Sequence, residues 1–415
     1  MRRAISIPDQ ITSLKDITKT PNLAAASIVL GTVAFILLVA AVAGAYFERR
    51  YVHALAPALF LQKTQGLELQ KVAFAQSDLL PLYGSSELVV SAGNKATDFF
   101  QTYPTGFGVF SVGKPGSASL ILLQKLAAMG SDLRGKKVAI SISPTYFFRQ
   151  DVPVAYYNGN FSLLQAGEII YSPHLSFDLK RDVARRMLQY PKTLEKSALL
   201  AFTISRLASD SLMNRVLYYG TVPLGLLENG ILRIQDHCET LLYILKRIWR
   251  LPIAVTRSQQ TIDWDGMIAD ATTQVRRHDN SDTGCVGPEQ GPEMFVAGEQ
   301  SAHEWIDFEL LLRGLNELGA RPLVLSMPID GRYFDRFGVG RSFRDLYYKR
   351  IRGLAEVHHV PLLAFEEHDL DEDFLVAHRD HLTDKGWLYF DKALDDFFHE
   401  RLVLPPDGAT TTLIQ

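Results

Sequence analysis

The chain has 415 residues, enough for one large domain or two with appendages. A formal net charge of −3 with 21% charged residues, and no basic stripe with interleaved aromatics, argues against a nucleic-acid partner. Two cysteines, Cys238 and Cys285, are too few for a disulfide framework and lack the Cys-x-x-Cys spacing of a zinc site.

Residues 1–22 are polar and include Arg2, Arg3, Lys15 and Lys19. From Leu23 to Phe47 there is no charge, a run long enough to cross a hydrocarbon core of ~30 Å as a helix. A cleaved signal peptide is the rival, since Ala41-Val42-Ala43 and Ala43-Gly44-Ala45 resemble cleavage sites, but the run exceeds a signal core of ~7–15 residues. Residues 1–22 are therefore expected in the cytoplasm, 23–47 as a transmembrane helix and 51–415 as a tethered extracytoplasmic domain. The orientation follows from the four basic residues before the span, although Arg49, Arg50 and Lys63 follow it closely.

Beyond Arg50, short apolar runs alternate with helical patterns. Strands are expected at about 78–83, 107–112, 138–143, 322–327 and 360–365. Helices are expected from Glu87, over Ser117–Met129 and over Lys385–Leu402. This alternation predicts an α/β fold, a parallel sheet with helices on both faces. A helical insertion is expected over 174–255, and its end, 241–250, is basic and amphipathic: it packs on its own domain, or it docks on a membrane or a membrane partner. Residues 256–302 show no apolar period and are expected as a long loop. In an exported chain Cys238 and Cys285 read as two unrelated thiols, or as one disulfide closing a long loop.

The chemistry concentrates in two stretches. The run Leu79-Leu80-Pro81-Leu82-Tyr83 ends in Gly84-Ser85-Ser86-Glu87. Strand, sharp turn and helix lift a serine hydroxyl to a sheet edge, where a base can reach it. Gly84 is expected to supply the turn, and the alternative for the serines is an ordinary helix cap. Far downstream, His381 precedes the C-terminal helix. A neutral imidazole near pKa ~6.5 can take a serine proton at neutral pH and return it to a leaving oxygen, so a serine–histidine pair suits ester transfer. No glycine-rich phosphate fingerprint is present, and His237, His278, His303, His358 and His359 show no metal spacing on a shared helix face. Neither a cofactor nor a metal is expected.

An early strand-turn serine with a late histidine is similar to the order found in SGNH-type esterases. Further blocks sharpen this. They are Val112-Gly113-Lys114-Pro115-Gly116-Ser117, Gly135-Lys136-Lys137-Val138, Ser143-Pro144-Thr145-Tyr146-Phe147, Met327-Pro328-Ile329-Asp330-Gly331-Arg332-Tyr333-Phe334, and His381-Leu382-Thr383-Asp384-Lys385-Gly386-Trp387. Together with Gly84–Leu88, they resemble in order the DltD family, membrane-anchored SGNH-hydrolase-like (flavodoxin-like) proteins of teichoic acid D-alanylation.

The resemblance implies an extracytoplasmic serine enzyme or acyl-transfer protein beside a membrane-bound O-acyltransferase. Its acceptor would be a lipid- or membrane-linked glycopolymer, with an acyl carrier pathway upstream. Ser86 is then the nucleophile and His381 its base; the oxyanion donors are the Ser86 N–H and Gly113. Ser85 takes the position of the esterase Asp and reads as a turn or cap group. Two departures stand out. The family aspartate three residues before the histidine is here His378, which leaves Asp380 as the alternative acid; and the esterase Gly-x-Asn block is absent, its strand ending in Ser143-Pro144. Two other readings follow: a polysaccharide O-acetyl transferase or esterase, and a non-catalytic docking subunit of the membrane acyltransferase.

Overall fold

In the computed structural model, which describes residues 21–58, 66–90, 92–250, 259–275, 292–376 and 381–402, five strands form one parallel sheet. They are β1 (Leu79–Gly84), β2 (Gly108–Gly113), β3 (Lys137–Ile142), β4 (Arg321–Ser326) and β5 (Leu362–Leu363), in the order β2-β1-β3-β4-β5. Side chains alternate between two cores, as a pleated strand requires. Leu79 and Tyr83 of β1, with Val138 and Ile140 of β3, pack on one face, whereas Leu80, Leu82 and Ala139 pack on the other. Both faces are thus dry, and the architecture is the α/β one that the apolar runs imply, consistent with the SGNH-like fold that the resemblance implies.

From β1 the chain crosses to β2 on one side and then to β3 on the other. This reversal opens a crevice at the carboxyl end of β1, the usual ligand position in open parallel sheets. β5 is shorter than expected. Pro361 precedes it, and Phe365 takes a left-handed conformation, φ 50°, which ends the extended run.

The expected helix from Glu87 is only a 3₁₀ turn, Ser86–Leu88, and the next helix is Ala96–Thr102. The amides of Gly93 and Asn94 turn instead to Asp384. The expected loop over 256–302 also needs correction, because Trp264–Val275 and Pro292–Ser301 are helical. An apolar period was present there: Trp264, Met267, Ile268 and Ala271 pack on the core that holds Leu80 and Leu82, and the Phe295 ring packs at a tilt on Phe148.

The N-terminal helix runs from Pro21 to Leu55 and is long and apolar enough to cross a membrane. Residues 23–39 are exposed, whereas Gly44, Glu48, Val52 and Leu55 are buried against the domain. The helix therefore outlasts the uncharged run because its last turns join the core. The insertion between β3 and β4 includes Phe177–Met187, Ala198–Leu207 and the long helix Leu212–Leu245. That long helix packs on the N-terminal one so closely that a Cβ at Gly44 would lie 2.7 Å from the His237 carbonyl oxygen. Cys238 sits half-buried on it, and Cys285 lies outside the described residues.

Candidate active site

At the end of β1 the chain turns under tight steric control. A Cβ at Gly84 would lie 2.2 Å from Glu87 Oε1, and one at Gly113, its register partner on β2, would lie 2.7 Å from Leu88 Cδ1. Close approach, not a left-handed conformation, is what requires glycine at Gly84. Glu87 is buried, and its Oε1 accepts the Ser85 amide at 2.8 Å. The turn is thereby closed from within, and Ser86 is left half-buried at its outer side.

His381 meets it there. Its Nε2 stands 3.0 Å from Ser86 Oγ, across 295 positions of sequence. The loop carrying the histidine is pinned on both sides: Val376 donates to the His381 carbonyl at 2.8 Å, Leu375 bridges Leu382, and the Thr383 amide donates to the Phe374 carbonyl at 3.0 Å. Thr383 also caps the helix Asp384–Phe398, its Oγ1 accepting from the Gly386 amide at 3.1 Å. The cap is why a histidine two residues earlier has a defined direction.

Ser85 Oγ accepts the Gly116 and Ser117 amides at 3.1 and 3.2 Å and lies 3.3 Å from the Tyr146 hydroxyl. It joins the loops that follow β1, β2 and β3, so the hydroxyl next to Ser86 is a structural junction. Behind it lies Lys125, fully buried, whose Nζ is 3.3 Å from Ser117 Oγ. Burial pushes its ammonium down from 10.5 to about 7, Lys114 adds repulsion, and Glu87 opposes both.

Of the residues singled out from sequence, Ser86, His381 and Gly113 converge on one crevice. His378 and Asp380, the two candidate acid positions, lie outside the described residues. His237 and His303 pair with Glu48 and Asp151, at 2.9 and 2.7 Å, and lie apart from this site. Glu87, Lys125, Tyr146 and Asp384 were not singled out. Glu87 had a legible signal, a carboxylate just inside a turn; the other three meet the site only through long-range contacts.

The family model described as DltD protein matches residues 56–284 and 296–399. Protein DltD of Bacillus subtilis (strain 168) is 26% identical over 363 residues, covering 83% of this chain and 88% of that protein. Protein DltD of Staphylococcus aureus (strain NCTC 8325 / PS 47) is 22% identical over 346 residues, covering 80% and 84%. Protein DltD of Lacticaseibacillus rhamnosus is 28% identical over 129 residues, covering 31% and 30%.

Proposed function

This chain belongs to the DltD family, and on that premise we propose that it transfers an acyl group, D-alanyl in keeping with the family's part in teichoic acid D-alanylation, through a covalent serine intermediate. The observation that carries the reading is the 3.0 Å approach of His381 Nε2 to Ser86 Oγ at the carboxyl end of β1.

In the first half-reaction Ser86 Oγ attacks the carbonyl carbon of the acyl donor while His381 Nε2 takes the hydroxyl proton. The carbonyl π electrons move to oxygen, and the Ser86 and Gly113 amides serve that oxyanion. Collapse of the tetrahedral adduct breaks the bond to the donor's leaving atom, which takes the proton from His381. In the second half an acceptor hydroxyl gives its proton to His381, attacks the acyl-serine and expels Ser86 Oγ, which is reprotonated. Asp380, or the residue at 378, is the candidate acid for holding the imidazole. The donor side is assigned to a membrane-bound O-acyltransferase, the acceptor to a membrane-linked glycopolymer, and the domain to the extracytoplasmic face.

The test is mass spectrometry of the full chain in lipid nanodiscs after incubation with activated D-alanyl donors. An adduct on the Ser86 peptide is expected, and it should disappear in Ser86→Ala. Wild-type levels of envelope acylation by folded Ser86→Ala protein would reject the nucleophile and leave a docking subunit of the membrane acyltransferase.

A further inference from the structure

The helix Leu212–Leu245 is amphipathic in the reverse sense of an ordinary surface helix. Of its seven buried positions, Thr221, Gly225, Asn229, Asp236 and Thr240 are small or polar, and Tyr218 and Ile244 are the large ones. Its outward stripe is Met213, Val216, Leu217, Leu224, Leu227 and Ile231, at helical spacing, with Leu227 63% and Ile231 61% exposed. Across 212–231 the charged residues are Arg215 and Glu228. Both are engaged by the domain: the Arg215 guanidinium lies 4.3 Å from the Phe177 ring centroid, and Glu228 Oε1 accepts from Ser197 Oγ at 2.8 Å. The outer stripe holds neither a charge nor a hydrogen-bonding group.

We propose that this stripe lies in the interfacial layer of the same bilayer that the N-terminal helix crosses, giving the domain a second, non-spanning membrane contact. Three features select lipid as the occupant. The stripe belongs to the helix that packs on the membrane-crossing one through Gly44, Glu48 and His237, so the two exposed apolar surfaces sit on directly packed helices. Its end carries exposed Lys246, Arg247 and Arg250, which suit anionic headgroups beside a buried apolar face. Five of the six stripe side chains are aliphatic, Met213 is the sixth and Tyr219 lies at the edge; such a surface suits a fluid hydrocarbon, which demands no matching pocket, whereas protein interfaces concentrate aromatic and arginine anchors at their centre. One contact tethers the domain but leaves it free to swivel; a second, along a helix, sets its tilt and so the direction in which Ser86 and His381 face.

The test uses the full chain with Cys238→Ser and Cys285→Ser, carrying one environment-sensitive fluorophore on a cysteine introduced at Leu217, Leu224 or Ile231, and at Glu356 as an exposed control. The protein is reconstituted in phosphatidylethanolamine–phosphatidylglycerol vesicles. Acyl-chain bromination should quench the three stripe positions severalfold more than position 356, and aqueous iodide should do the reverse. Leu224→Glu with Leu227→Glu points outward, leaves the buried face untouched, and should abolish acyl-chain quenching at 217 and 231 while the N-terminal helix keeps the protein in the vesicle. Stripe labels as open to iodide as position 356 would overturn the proposal. Labels open in these vesicles but shielded in native membranes would overturn it too, in favour of a protein occupant.

Discussion

Asp384 Oδ1 accepts the Gly93 amide at 2.6 Å and the Asn94 amide at 3.4 Å, and Asn94 Nδ2 returns a hydrogen bond to the Asp384 carbonyl at 3.4 Å. The loop after Ser86 is thus fastened to the first turn of the helix that begins three residues after His381. Two halves of the site, remote in sequence, are held in one geometry by a carboxylate that touches neither reacting atom. Asp384→Ala should lower the rate of Ser86 acylation roughly 10–100-fold through misplacement of the pair. KM and the melting temperature should change little, and Asp384→Asn, which retains the accepting oxygen, should recover part of the loss. Single-turnover adduct formation measures this; an unchanged rate in Asp384→Ala would remove the positioning role.

Ser86→Ala and His381→Ala should each depress acyl transfer by on the order of 10³-fold or more, and the double mutant should be no worse than either, because members of one catalytic unit are strongly non-additive. The acid behaves differently, since it orients the imidazole and stabilises the imidazolium. Asp380→Asn should slow the reaction while leaving measurable activity, and His378→Asp should be tolerated. Envelope D-alanyl ester content in a complemented deletion strain reports all five variants; additive losses for Ser86 and His381 would show that they do not act as a unit.

Gly113→Ala should destabilise the domain by about 1–3 kcal/mol through overpacking, because its new Cβ would meet Leu88 Cδ1 at 2.7 Å. Adding Leu88→Ala removes that atom and should restore part of the stability. Denaturant midpoints of the four variants in one cycle test the contact. If the second substitution only adds to the loss, the close approach is not the reason for glycine at this position.

Lys125 makes a signed prediction about pH. Its folded value, about 7, lies below its usual 10.5, so between those values the unfolded chain holds more protons than the folded one. Its contribution to stability is complete above about 10.5 and is lost as pH falls towards about 7. Relative to Lys125→Met, the wild type should therefore gain stability from pH 7 to pH 9, by on the order of 1 kcal/mol per unit. Unfolding in a fixed detergent at pH 7, 8 and 9 measures it, and parallel curves for the two proteins would contradict the buried neutral amine.

Much of the architecture was legible in the chain. The long apolar N-terminal helix and the strands β1 to β4 are written as apolar runs, and the boundaries of β1 to β4 shift by only a residue, because burial on both faces demands continuous hydrophobicity. Ser86 and His381 could be nominated for a similar reason. A serine just past a strand and a histidine just before a helix cap mean little singly, but their order is similar to that of SGNH-type esterases, and the strand ends of a parallel sheet all open on one edge.

Tertiary contacts decided the rest. That Ser85 ties three loops together and that Asp384 holds Gly93 depend on groups far apart in sequence, and no local pattern encodes such distances. Sequence alone could not orient the stripe on the helix Leu212–Leu245 either. Apolar residues at helical spacing establish that a helix has two faces, but they do not say which face meets the protein. Here the small and polar residues turn inward, because Gly167 and Gly225 let the helix approach the domain closely, with Asn229 and Tyr171 filling the space a side chain would take. The aliphatic residues were left outside.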